Sequence, residues 1–402
     1  MLISIGALSA VRVLFKGRDN TPMQYRVFIF GLIIFLSNSF YSFAASPLQF
    51  PDYKIQEVAN GLNFPWSLAF LPDGELLVTE RAGQLIKITR GNISELITGL
   101  PTNIYVKGQG GLLDVVLHPN FSINRWVYIS YVIGDDDKNA LQVMRAKLTN
   151  NQLTEKQIVF TVTPFKSTPV HFAGRMAFLP DNTLLITSGD GFDYREDAQR
   201  LNSLLGKTVR INDDGSVPTD NPFVTENLDS PSNYVFSYGH RNHQGILFDS
   251  ERNVIFSNEH GPDGGDELNI IRAGMNYGWP VITNGLDYIG SRISPFTEYA
   301  NMQQPSLDWT PSIAPSGMAV HRGSLFDELN GDLLVSVLKF KEVRWLQMNG
   351  MKVVAQTSLF KELKQRIRDV RVHSDGSIYI LTDSENGKVL RIIPNKQISI
   401  NL

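Results

Sequence analysis

Several short stretches carry residue types that can do chemistry together. His171 lies in the run Pro169 to Arg175, ahead of an apolar segment. An imidazole titrates near neutrality, so a histidine at a channel entrance can serve as a general base, although a single histidine is more often structural. Arg241 and Asn242 sit in Tyr238 to Gly245, and a glycine-rich acidic loop follows at Gly261, Pro262, Asp263, Gly264, Gly265, Asp266 and Glu267. Carboxylates this close repel one another unless a cation sits among them, and Ca²⁺ favours carboxylate and carbonyl oxygens. The plainer reading is a solvated acidic turn.

Four cations recur at similar places in the chain. Lys339 follows an apolar strand, Arg366 and Arg368 flank Ile367 before another, and Arg241 precedes a third. Alternation in an extended segment puts Arg366 and Arg368 on one face. Together these groups predict a cationic pocket for a small polyanion beside a cation site. Gln109, in Gly108 to Leu112, occupies a comparable entrance. Trp309, in Asp308 to Pro311, reads equally as a stacking surface for a sugar or as core.

The elements that must position these residues repeat. The phrase Leu68–Thr79 (apolar strand, Pro-Asp-Gly turn, apolar strand) returns at Met176–Thr187 and Val370–Thr382. Looser copies begin at Val115, Ile246 and Met318, and several copies add a third strand, as at Leu85–Ile88 and Val389–Ile393. Strands this short are not stable alone. Six such units predict an all-β chain, a six-bladed β-propeller of four-stranded antiparallel blades. The strand Tyr53–Val58 precedes the first copy and is predicted to pair with the last blade, closing the ring. Two stacked sandwiches would not explain six similar phrases. Long connections, such as 212–233 and 283–309, are expected on one face near the channel.

The 402 residues carry a formal net charge of −3, with no cysteine. That excludes disulfides and thiolate chemistry and gives no nucleic-acid footprint. Arg26 precedes the apolar run Val27 to Leu36, and Ser42, Ala44 and Ala45 follow. This is the pattern of a secretory signal, and the run is short for a membrane span. Residues 1–45 are read as a leader, with cleavage after Ala44 or Ala45 and Met23 as a second candidate start. An uncleaved anchor is the rival. Residues 46–402 are then an exported propeller, periplasmic if the source is bacterial.

Longer motifs bear a resemblance. Gly108–Asp114, His118–Phe121, His171–Arg175, Leu205–Ile211, Asp220–Phe223, Tyr238–Gly245, Asn258–Asn269 and Asn276–Pro280 follow in the order of the glucose/sorbosone dehydrogenase family. The chain resembles its soluble pyrroloquinoline quinone (PQQ)-dependent aldose sugar dehydrogenases over roughly residues 50–395. The resemblance implies a six-bladed propeller that oxidises aldoses at C1 by hydride transfer to PQQ, with Ca²⁺. It implies His171 as the base for the anomeric hydroxyl and Arg241 at the quinone oxygen. Asn242, Lys339, Arg366 and Arg368 would hold the cofactor, and Gln109 the sugar. Gly261 and Pro262 would give carbonyls to the bridging Ca²⁺, and Asp266, Glu267 and Tyr277 would form a second Ca²⁺ site. The electron acceptor would be a cytochrome or a quinone.

Two departures qualify this. Val170 stands where the glucose branch has Asp, and His243 where it usually has Pro. The resemblance is therefore to the broad-specificity aldose branch. A Ca²⁺-dependent lactonase-like hydrolase or a non-catalytic binding propeller would also suit the fold. Neither explains the cradle of Lys339, Arg366 and Arg368.

Overall fold

The computed structural model describes residues 49–89 and 94–395. The leader proposed for residues 1–45 lies outside the described residues, as do both candidate starts. Among the described residues no helix is long and apolar enough to cross a membrane.

Six four-stranded antiparallel sheets follow one another along the chain. Blade 1 is Pro65–Phe70, Leu76–Glu80, Gln84–Ile88 and Ser94–Ile97; blade 2 is Leu112–Leu117, Trp126–Gly134, Asn139–Thr149 and Gln152–Thr161. Blade 3 is Ala173–Phe178, Leu184–Ser188, Lys207–Ile211 and Val235–Tyr238; blade 4 is His243–Asp249, Val254–Glu259, Asp266–Ile271 and Leu307–Trp309. Blade 5 is Pro315–Val320, Leu333–Val337, Glu342–Asn349 and Lys352–Leu359. Blade 6 is Ile367–Val372, Ile378–Thr382 and Gly387–Pro394, completed by Tyr53–Leu62. That last strand runs antiparallel from Tyr53 opposite Pro394 to Leu62 opposite Gly387. The ring closes as the sequence predicts, and each end of the chain covers the other's sheet edge.

The apolar runs of the repeated phrase follow from burial on both faces. Side chains alternate along a strand. In blade 1, Leu76 and Val78 pack toward Leu381 and Val389 of blade 6, and Leu77 packs toward Leu112 and Val115 of blade 2. In blade 3, Leu184 and Ile186 join blade 2, whereas Leu185 joins Ile246 and Ile255 of blade 4. The core therefore lies between blades, and no blade keeps one of its own.

The first strands of adjacent blades touch all round the ring and enclose the axis. Each first strand shifts register two or three residues in, for example between Pro65 and Ser67, between Ala173 and Met176 and between Ile367 and Asp369. Bulges bend and twist a strand, here where six must converge. Below them Arg175 plugs the channel, 3.2 Å from Asp369 and 3.5 Å from Asp114, over the ring of Trp66. Arg371 pairs with the same two carboxylates. Four charges from three blades, of which Arg175, Asp114 and Asp369 are buried, thus neutralise one another and floor the channel.

Candidate active site

Antiparallel pairing brings the start of each first strand beside the end of each second strand. All twelve of these ends lie at one mouth of the channel, which is why residues far apart in sequence meet there. A cavity of about 350 Å³ opens at this mouth, within the size range of small-molecule sites. Gln109, Asn242, Arg366, Arg368 and Asp383 line it, with Trp66 and Leu113 beneath.

His171 enters blade 3 with φ of +55°, a left-handed conformation that needs support from its surroundings. Gln109 Oε1 accepts its backbone N–H at 2.8 Å, and Lys166 Nζ donates to the Val170 carbonyl just before it at 2.8 Å. Lys166 is itself buried, which pushes its amine down to about 7. Nδ1 of His171 lies 2.7 Å from Oδ1 of Asp190. The other Asp190 oxygen accepts the indole N–H of Trp279 at 2.7 Å, and Oδ1 also accepts the Phe192 N–H.

The electrostatics assign the tautomer. Burial pushes the Asp190 carboxyl up, but the His171 hydrogen bond and the charge of Arg241 more than offset it, so it lies below the usual range. Asp190 is an ionised acceptor, hence Nδ1 of His171 carries the proton and Nε2 keeps its lone pair. Burial holds the imidazole pKa down, against the opposing pull of Asp190. A neutral imidazole oriented by a carboxylate is a general base in waiting.

Arg241 lies beside His171 in a side cleft rather than among the groups lining the large cavity. Its Nη1 donates to the Gly261 carbonyl at 2.6 Å and to the His260 carbonyl at 3.2 Å, and Nη2 donates to the Tyr288 hydroxyl at 3.3 Å. Its Nε is buried without a partner among the described residues, and so is Nδ2 of Asn242, which lines the large cavity. Arg366 and Arg368 both converge on Asp383: Arg366 Nε at 2.9 Å and Arg368 Nη2 at 3.2 Å from its Oδ2. Lys339 is exposed at the end of its strand, beside Phe340, and it is Leu338 that reaches the cavity.

The acidic loop divides into two parts. Asp266 is not a free ligand: Oδ1 accepts the Gly261 N–H, and Oδ2 accepts Ser312 Oγ and the N–H groups of Ile313 and Ala314 at 2.6 to 2.8 Å. It clamps the entrance of blade 5 to the loop. Glu267 and Glu259 instead meet across Asn269, whose Nδ2 donates to both at 2.8 and 3.1 Å. With Tyr277 they line a buried void of about 10 Å³, the size of one small occupant. Burial, then the nearby Glu259, pushes the Glu267 carboxyl well above its usual range.

The structure brings together His171, Arg241, Asn242, Gln109, Arg366, Arg368, Gly261 and Pro262, and sets Glu267 and Tyr277 around a small void that Arg241 and Gly261 also line. Trp309 takes the core alternative: it is buried with Phe256, Leu268 and Met318 between blades 4 and 5, its indole N–H on Gln356. The reason is its place at the end of the outermost strand of blade 4, far from the axis. Asp190 and Asp383 escaped the sequence reading. Both leave the ends of second strands, in Ser188–Asp190 and Thr382–Asp383, and comparing those ends across the repeats is the signal that would have exposed them. His240, His243 and Glu259 form a further buried group, with His240 Nδ1 on Glu259 and His243 Nδ1 near Ser257 Oγ.

Comparison with known proteins supplies the wider setting. The family model described as Glucose / Sorbosone dehydrogenase matches residues 62–391. The aldose sugar dehydrogenase of Escherichia coli K12 is 39% identical over 348 residues, covering 85% of this chain and 93% of that one. The crystal structure of the soluble E. coli aldose sugar dehydrogenase in its apo form superposes with a TM-score of 0.82 at 38% identity, covering 85% of this chain and all of that one. The PQQ-bound aldose sugar dehydrogenase of Streptomyces coelicolor superposes with a TM-score of 0.70 at 26% identity, covering 86% of this chain and 99% of that one.

Proposed function

The chain belongs to the glucose/sorbosone dehydrogenase family, and from that premise we propose that it oxidises aldose sugars at C1 to lactones, with PQQ as cofactor and Ca²⁺ as its metal. The observation that carries this reading is the buried His171–Asp190 pair, set beside a cavity lined by Arg366 and Arg368 and by Asn242, whose amide nitrogen has no partner among the described residues. A base and a cationic cradle at one channel mouth are what proton abstraction beside an anionic cofactor requires.

PQQ would supply the two-electron acceptor for the hydride that leaves sugar C1. Nε2 of His171 takes the proton of the anomeric hydroxyl as the C1–O bond becomes a carbonyl. Asp190 stabilises the imidazolium so formed and fixes its orientation. Arg368 and Arg366 would hold the cofactor carboxylates, with Lys339 at the rim, and Asn242 would donate to a cofactor oxygen. Glu267 and the Tyr277 carbonyl are the residues that would hold one Ca²⁺. At the other position the Gly261 carbonyl already serves Arg241, so a cation on Gly261 and Pro262 would share that oxygen with the guanidinium. The secretory-signal pattern of residues 1–45 supports an activity outside the cytoplasm, and a cytochrome or a quinone would then be the electron acceptor.

The test is a dye-reduction assay on the chain without residues 1–45, supplied with PQQ and Ca²⁺ and a panel of aldoses. Sugar-dependent reduction that needs PQQ and is lost in His171→Ala supports the reading. Absence of PQQ binding overturns it, and hydrolysis of lactones without PQQ would then point to the hydrolase.

A further inference from the structure

Two aromatic rings stand beside the base with no role so far. Phe192 and Tyr288 are 41% and 62% exposed, which is unusual for rings in contact with a buried site. They stack with centroids 6.2 Å apart and planes 18° from parallel, and the Phe192 ring meets the imidazole of His171 edge-on at 5.2 Å. The Tyr288 hydroxyl accepts from Arg241. With His171 and Arg241 the two rings line the side cleft.

The placement is braced from both sides. Phe192 comes from the loop after the second strand of blade 3, and Tyr288 from the long connection between the third and fourth strands of blade 4. Arg195 and Asp287, neighbours of the two rings, form an ion pair across the gap at 3.6 Å. Leu286 exchanges backbone hydrogen bonds with Asp263, which ties the Tyr288 turn to the acidic loop. Phe192 holds φ at +66°, costly for a bulky side chain, and its N–H is fixed on Asp190. A strained residue held with its ring exposed beside the base is better explained by a ligand than by packing.

We propose that Phe192 and Tyr288 form the platform on which the sugar ring lies while its C1 faces His171. This deepens the sugar-oxidising reading and rests on it. A pyranose has a polar equator and C–H faces, and those faces stack on aromatic rings. The cleft itself, about 30 Å³, is a wall and not a container, so the sugar rests against it over the mouth of the large cavity. The substrate class favoured is the aldopyranose with an uninterrupted C–H face, because an axial hydroxyl on that face would keep the ring off the platform.

Four variants test this: Phe192→Ala, Tyr288→Ala, Tyr288→Phe and Phe192→Tyr. Each alanine variant should raise KM for aldoses about 3- to 10-fold, the scale of one aromatic contact, with kcat changed much less. Both aromatic-for-aromatic variants should restore KM. Saturation-transfer NMR with glucose on the protein without added PQQ gives a second readout, and transfer from aromatic protons should fall in both alanine variants. Unchanged KM and unchanged saturation transfer overturn the platform while sugar-dependent turnover leaves the dehydrogenase reading standing. A Tyr288→Phe variant as impaired as Tyr288→Ala also overturns it, since the tyrosine would then act through Arg241. A raised KM for the electron acceptor and not for the sugar overturns it in favour of an acceptor-docking surface. A wild-type chain that binds PQQ yet oxidises no aldose overturns the reading, and the platform with it.

Discussion

Asp190 Oδ1 lies 2.7 Å from Nδ1 of His171, and the pair is buried at the mouth of the channel. This contact decides which imidazole nitrogen is basic, and it joins residues 19 positions apart in the chain.

Replacing Asp190 with Asn should cut kcat/KM for an aldose by roughly 10²-fold or more, within the usual worth of an oriented general base. The pH profile should carry the same signature. Burial lowers the His171 pKa and Asp190 opposes that shift. The base works deprotonated, so the acid limb of kcat/KM should fall below about pH 6.5, the ordinary histidine value, and move lower still in Asp190→Asn. A wild-type limb at or above pH 6.5 would contradict the assignment.

Asp383 sits between Arg366 and Arg368, so the cradle is not purely cationic. Truncating Arg368, the more buried of the two, leaves the Asp383 charge facing the cavity. Arg368→Ala should weaken PQQ binding about tenfold or more, and Arg366→Ala less. Adding Asp383→Asn to Arg368→Ala should recover part of the loss, because the repulsive charge goes too. A titration followed by calorimetry reads all four proteins, and a double variant that binds no more tightly than Arg368→Ala alone would show that the carboxylate does not act on the ligand.

Asp266 and Glu267 are adjacent in sequence and opposite in kind. Asp266→Ala strands three backbone N–H groups and a hydroxyl, and should cost roughly 3 kcal/mol or more whether or not Ca²⁺ is present. Ca²⁺ should raise the Tm of the wild type, and Glu267→Gln should leave the fold intact and remove that rise. Thermal melts with Ca²⁺ and with chelator separate the two, and equal Ca²⁺ dependence in both variants would refute the division.

Acid should destabilise the propeller through its buried histidines. Burial pushes His243 down to about 3 and His260 to about 4. Both lie below the ordinary value near 6.5, so between these limits the unfolded chain binds more protons than the folded one. Stability is therefore full above about pH 6.5 and falls as the pH drops toward 4. Each histidine contributes a slope of up to about 1.4 kcal/mol per pH unit. Urea unfolding at pH 7.5, 6 and 5 should show the decline, and a flat profile would mean that these imidazoles ionise inside the fold.

The sequence by itself determined the architecture. Runs such as Leu76–Leu77–Val78 and Leu184–Leu185–Ile186 are apolar at every position because each blade is covered on both faces, and six copies of one phrase fix the count. It also marked the residues whose types stand out inside long motifs: His171, Arg241, Asn242, Arg366, Arg368. Only the tertiary structure decided the rest. Asp190 reaches His171, and Asp383 reaches two arginines, because antiparallel pairing returns the end of a second strand to the mouth of the channel. Phe192 and Tyr288 meet across two blades. Trp309 and Asp266, which a sequence reading can place at a ligand, are spent on packing and on a loop clamp. A residue's type states what it can do. Its partner, its exposure and its distance from the axis depend on contacts between segments far apart in the chain, and local sequence carries no record of them.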